Sequence, residues 1–188
     1  MSCELNTYPL NDKWTLYLHY KDLGTTYISN LEKLVDIFDV KTFWQTFNNV
    51  PKIYEIFSDG VNIKKMKRNN ASPCAYSFFK NDISPRWEDK MNIDGFEFSV
   101  RNNFDFELLQ KQWISSLVNI IGCNSKACQF INGIRIVDNS RDGSAMYRME
   151  FWVDDTTNKK EIEDLLKSEE FGLGMYKFMY RIHKTMKE

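Results

Sequence analysis

Cysteine and histidine are scarce in this chain: the sequence has four of the first and two of the second in 188 residues. Cys3, Cys74, Cys123 and Cys128 form no Cys-x-x-C pair. That spacing suggests neither a zinc site nor a disulfide framework, so reduced thiols in a cytosolic or nuclear protein are expected. No segment approaches the roughly 18 to 20 apolar residues of a membrane-spanning helix. The opening Met1-Ser2-Cys3-Glu4-Leu5-Asn6 also lacks the basic-then-apolar pattern of a signal peptide. A soluble protein without a membrane partner is expected. Charge of either sign is nearly balanced, at 25 Lys plus Arg against 26 Asp plus Glu. A general nucleic-acid binder uses a broad basic face to displace counterions, and this balance argues against one. Any phosphate contact is then local. A Gly-rich phosphate loop, a nucleophile–histidine pattern and metal-ligand spacing are absent as well, so the expectation is a non-enzymatic protein with no cofactor and no metal.

What the chain does have is core material: 43% of residues are hydrophobic and 15% aromatic. That is ample for one domain spanning 1–188, a monomer, with 1–7 as a flexible N-terminus. Trp14 to Tyr20 alternates, with Trp14, Leu16, Leu18 and Tyr20 on one face and Tyr17 and His19 on the other, which predicts a strand. Leu31 to Phe38 fits either a helix or a strand. Asp39 is placed to cap a helix carrying Val40, Phe43, Trp44 and Phe47 at helical spacing. Residues 51–74 are polar and broken by Pro51, Gly60 and Pro73, and read as an extended insertion-like loop containing the basic run Lys64 to Arg68. Tyr76 to Lys80 and Phe96 to Arg101 read as strands. Asp105 to Ile121 is the clearest helix, with Leu109, Trp113, Leu117 and Ile120 on one stripe, Ile114, Val118 and Ile121 on a second, and Gly122 as its C-terminal stop. Ile131 to Val137 and Met146 to Val153 read as a hairpin, Lys159 to Phe171 as an amphipathic helix, and Tyr176 to Ile182 as a last strand. Strands joined mostly by hairpins, with about three helices, make an α+β layer of helices on an antiparallel sheet.

Pro85-Arg86-Trp87-Glu88-Asp89 sets a large flat ring beside two carboxylates in a loop. An indole covers one face of a purine, and an ionised carboxylate accepts the two parallel N–H donors on the Watson–Crick edge of guanine. The same two acids invite a second reading, as an acid/base pair for glycoside hydrolysis, although neighbouring residues seldom flank one bond.

Taken in order, Tyr8-Pro9-Leu10, Lys13-Trp14, Thr26 to Leu31, Phe38 to Trp44, Tyr76 to Lys80 and Pro85 to Asp89 resemble the eukaryotic translation initiation factor 4E family. That family binds the 7-methylguanosine cap of messenger RNA. The resemblance continues through Trp113 to Gly122 and Arg148 to Trp152, and covers roughly residues 8–185. It implies a curved antiparallel sheet with three helices on its convex back and the cap on the concave side, and it favours a strand for Leu31 to Phe38. It implies a cap base stacked between Tyr27 and Trp87, Glu88 accepting from the guanine edge, Trp152 near the cap methyl, and Arg135 and Arg148 on the cap phosphates with Arg141 in reserve. A smaller ring at Tyr27, where the family commonly has tryptophan, implies a weaker slot. The family's basic C-terminal loop is mostly missing, and Lys184 is a poor substitute.

On the convex surface the resemblance places Pro9, Val40, Trp44, Ile114, Val118 and Gly122 in a groove for a partner helix with a Tyr-x-x-x-x-Leu-Φ motif, the helix-in-groove mode. Ser115 stands where the family often has a glutamate that would accept from the partner's basic residue. The implied function is a cytoplasmic translation initiation factor that carries capped messenger RNA to a 4G-type scaffold. Its alternative is a cap-binding repressor of translation that does not engage the scaffold. A third reading is a protein-interaction domain whose cap slot has decayed.

Overall fold

The computed structural model describes residues 8–21, 30–57, 71–102, 105–141, 144–154 and 157–184. Seven strands form one sheet: β1 (Pro9–Tyr20), β2 (Leu31–Asp39), β3 (Pro73–Lys80), β4 (Phe96–Asn102), β5 (Ile131–Asp138), β6 (Tyr147–Val153) and β7 (Phe178–Ile182). Their order is β2-β1-β3-β5-β6-β4-β7, and every neighbouring pair is antiparallel. The sheet is open and curved, and the fold is α+β.

Period-two alternation divides each strand between two environments. On β1, Trp14, Leu16 and Leu18 enter the main core, whereas Tyr17 joins a separate cluster with Phe79, Ile83 and Trp152. His19 is buried, its Nε2 2.6 Å from Ser77 Oγ on β3. The predicted face assignment of this strand therefore holds. Leu31 to Phe38, open between helix and strand, is strand β2.

Helices cover the main-core face. They are α1 (Val40–Asn49), α2 (Ile53–Phe57), α3 (Phe106–Gly122), α4 (Lys126–Gln129) and α5 (Lys159–Lys167). Phe43 and Phe47 of α1, Leu109, Trp113, Leu117 and Ile120 of α3, and Ile162 and Leu166 of α5 all join the same core. Asp39 caps α1 by accepting from Thr42 N–H at 2.7 Å, and Asp105 caps α3 by accepting from Leu108 N–H at 2.7 Å.

Four expectations need correction. Residues 53–57, inside the expected 51–74 loop, form α2, because Ile53, Ile56 and Phe57 bury their side chains in the core; residues 58–70 lie outside the described residues, as do 1–7. Gly122 is the last residue of α3 rather than a left-handed stop, and Cys123 ends the helix with an extended backbone. The helix begun at Lys159 ends at Lys167, and the last strand begins at Phe178. Finally, Cys123 and Cys128 form a disulfide, so these thiols are not reduced here. Ser125 caps α4 and the chain folds back after α3, bringing the two Cα atoms to 6.1 Å, a separation a bridge can span. Cys74 is not in a disulfide.

Candidate functional site

The site is built on the face opposite the helices. Its wall is the loop between β3 and β4, which leaves β3 through Asn81 and Asp82, both with positive φ, at 52° and 60°. Asn and Asp tolerate that conformation better than most residues. The loop is then stapled from within. Asp89 accepts from the N–H groups of Ser84 and Met91, each at 2.9 Å. The Asn92 side chain donates to the carbonyls of Ser84 and Arg86, and Asn132 of β5 donates to Met91 O at 2.7 Å. The two adjacent acids thus have different parts: Asp89 holds the turn, and Glu88 stands exposed. Trp87, immediately before them, is half-buried and packs on the cluster of Tyr17, Phe79, Ile83 and Trp152. Tyr27, its expected stacking partner, lies outside the described residues.

Gly133 fixes the floor beneath that ring. A Cβ there would lie 2.4 Å from the Phe79 ring, so only glycine lets β5 pass under it. Phe79 in turn meets Trp152 edge-on, with centroids 5.4 Å apart. Trp152 lies on the concave face as expected, but it is covered, with 1% of its surface exposed. His183 packs on it at 4.6 Å, and its own Nδ1–H donates to Asn92 O at 2.6 Å. Burial pushes the His183 imidazole below its ordinary pKa.

The arginines expected on phosphate, Arg135 and Arg148, converge on a residue that sequence reasoning missed. Glu150 is fully buried between them. Arg135 Nε donates to its Oε2 at 2.7 Å, Arg148 Nε donates to its Oε1 at 2.6 Å, and Trp152 Nε1 donates to Oε2 at 2.9 Å. The Arg135 guanidinium also sits 4.9 Å from the Trp152 ring centroid. Burial alone would raise the Glu150 pKa, but the two guanidiniums outweigh it and hold the carboxyl below its ordinary value. Glu97 on β4, opposite Trp152 in register, is buried too. Burial, with the Glu150 charge added, pushes its pKa up to about 7. Alternation was the available signal: Arg148, Glu150 and Trp152 share one face of β6, and Glu97 and Ser99 share the non-core face of β4.

Beside this cluster a cavity of about 170 Å³ is lined by His19, Arg86 and Arg135 among others. Arg141 is exposed in the β5–β6 turn, bridged to Ser144. Lys184 pairs with Asp94 at the surface. Among the described residues no group of three or more metal-ligating side chains is present, and no helix is long and apolar enough to cross a membrane.

On the helix side, Pro9, Val40, Trp44, Val118 and Gly122 line one groove of about 300 Å³, together with Leu10 and Ile121. Trp44 is 43% exposed, too open for a core residue. Ile114 is not in that lining; it is half-buried against the main core. Tyr8 O accepts from Val40 N–H at 2.9 Å and ties the start of β1 to α1.

This architecture is shared. A C. elegans eIF4E-3 solved in complex with the 4E-binding protein Mextli and a cap analog superposes with a TM-score of 0.76 at 22% identity, covering 96% of this chain and 95% of that one. A schistosome eIF4E complexed with m7GpppA and 4E-BP gives 0.75 at 19% identity, covering 97% and 92%. Among curated proteins, eukaryotic translation initiation factor 4E of Dictyostelium discoideum is 26% identical over 161 residues, 84% of this chain and 57% of that protein. The Xenopus laevis factor is 30% identical over 118 residues, 61% of this chain and 48% of that protein. The chain therefore spans about half the length of these relatives. Since the family model of eukaryotic initiation factor 4E matches residues 9–188, nearly every residue from which the two faces are built, the chain belongs to that family.

Proposed function

We propose that this chain binds the 7-methylguanosine cap of messenger RNA on its concave face and a partner helix in the groove behind. The observation that carries the reading is the Trp87 loop. A half-buried indole rests on an aromatic floor, exposed Glu88 follows it, and internal hydrogen bonds pin the loop backbone. A methylated, cationic guanine stacks between Trp87 and Tyr27, at about 1–3 kcal/mol per ring. Glu88 accepts its N1–H and N2–H for about 1.5–3 kcal/mol, a donor pair that adenine lacks. Trp152 backs the methyl group, and Arg135 and Arg148, with Arg141 in reserve, face the phosphates. Chemistry on the bound nucleotide has no support in the site, because Asp89 is occupied by backbone N–H groups.

Retention on immobilised 7-methyl-GTP, eluted by 7-methyl-GTP but not by GTP, tests this. Trp87→Ala and Glu88→Ala should each abolish retention with the fold intact by circular dichroism; retention equal to wild type in both would refute the assignment.

The open groove around Trp44 supports a 4G-type scaffold, or a repressor with a Tyr-x-x-x-x-Leu-Φ segment, as partner. Trp44→Ala should lose most of the affinity for such a peptide in a fluorescence titration. Ser115, without the acceptor, keeps the scaffold-independent repressor as the second reading. Adding the protein to a factor-depleted, cap-dependent translation extract separates them: rescue supports the initiation factor and inhibition the repressor. A cytoplasmic monomer fits both readings.

A further inference from the structure

We propose that Glu150 determines specificity in the concave site by flattening its response to phosphate number, so that 7-methylguanosine 5′-phosphates are selected by base and hardly by chain length. The inference rests on the cap-binding reading above. Arg135 and Arg148 carry two positive charges to the place where phosphates would lie, but Glu150 returns one negative charge to the same spot. It is fully buried, and it takes the Nε edge of both guanidiniums. Ion pairs in a low-dielectric interior attract far more strongly than pairs facing water. A phosphate arriving from solvent must therefore share guanidiniums that a buried carboxylate already holds, and that carboxylate cannot move outward without losing the Trp152 indole N–H as well. Arg135 is further fixed against the Trp152 ring.

The neighbouring strand reinforces the effect. Glu97 sits opposite Trp152, and Arg181 of β7 is its cross-strand partner. The floor thus has three arginines, Arg135, Arg148 and Arg181, against two buried acids. Glu150 is ionised and Glu97, with a pKa of about 7, is ionised in part at neutral pH, so the net positive charge falls well below the three charges the arginines carry, and each extra phosphate gains correspondingly less Coulomb attraction. The base, in contrast, is gripped by the Trp87 loop, whose indole meets this cluster through the apolar ring of Trp152.

The test is a ladder of tryptophan-fluorescence titrations with 7-methylguanosine, its 5′-monophosphate, diphosphate and triphosphate, on the wild-type chain and on Glu150→Gln. We expect wild-type affinity to rise by no more than about threefold per added phosphate, with a shallow salt dependence. Glu150→Gln, which keeps the side-chain shape and removes the charge, should bind the triphosphate about tenfold more tightly and leave the nucleoside unchanged. A wild-type ladder climbing about tenfold or more per phosphate overturns the proposal, and that measurement needs no variant. A Glu150→Gln chain that loses triphosphate affinity but keeps the nucleoside overturns it too, since Glu150 would then only orient the arginines. If neither the nucleoside nor any phosphate binds, the cap-binding reading falls and this proposal falls with it; a steep ladder with the nucleoside bound sinks this proposal alone.

Discussion

Glu97 shows how far one side chain of this site departs from its solution chemistry. Burial and the neighbouring Glu150 push its pKa up to about 7, above the 4.5 of an ordinary glutamate. A group whose pKa is higher folded than unfolded stabilises the fold fully below its unfolded pKa, and that contribution fades as pH rises to the folded value. Glu97 should therefore favour the fold at about pH 4.5 and progressively less up to about pH 7, a swing on the order of 3 kcal/mol. His19 works the other way: burial and Arg135 lower its pKa to about 3, so its contribution is complete above pH 6.5 and is lost as pH falls. Only a difference measurement separates them. In urea melts between pH 4.5 and 7, the stability of Glu97→Gln minus that of wild type should climb by about 1.4 kcal/mol per pH unit. A flat difference would mean that Glu97 is ionised throughout.

Among the elements, α3 has most of the consequences. Its N-terminus is closed by Asp105, and Asp105→Ala should cost about 1 kcal/mol in a denaturant melt. Its other end is held by the Cys123–Cys128 bridge, which closes a short loop onto α4. A bridge of that span is worth about 2 kcal/mol by chain entropy. Cys123→Ser, or reduction of the wild type, should lower stability by that amount. Because Ile121 and Gly122 line the partner groove immediately before Cys123, the same change should also weaken binding of a Tyr-x-x-x-x-Leu-Φ peptide. Unchanged peptide affinity after reduction, measured by anisotropy, would show that the groove does not depend on the bridge.

For the molecule as a whole, what was legible followed periodicity. The alternation of Trp14 to Tyr20 and the i, i+3, i+4 stripe of Leu109, Trp113, Leu117 and Ile120 were visible because burial imposes a fixed spacing on neighbours in sequence. The ordered blocks around Trp87 gave the family, and with it β2, which periodicity alone left open. Three features were not legible for a common reason: each depends on a partner distant in space or on a fold-back. The Cys123–Cys128 bridge needs the turn into α4; α2 needs the core that receives Ile53, Ile56 and Phe57; and the capture of Arg135 by Glu150 needs the β5–β6 register.

That single sheet has one further consequence. On β3, Tyr76 and Phe78 point toward the helices while Ser77 and Phe79 point toward the Trp87 loop. The partition between the two proposed binding surfaces is therefore one polypeptide layer thick, yet neither visitor can touch the other. A ternary assembly should form in either order of addition, with peptide affinity shifted by less than about twofold when 7-methyl-GTP saturates the opposite side. Mutual exclusion of the two in a pull-down would contradict this picture of independent docking on the two sides of one partition.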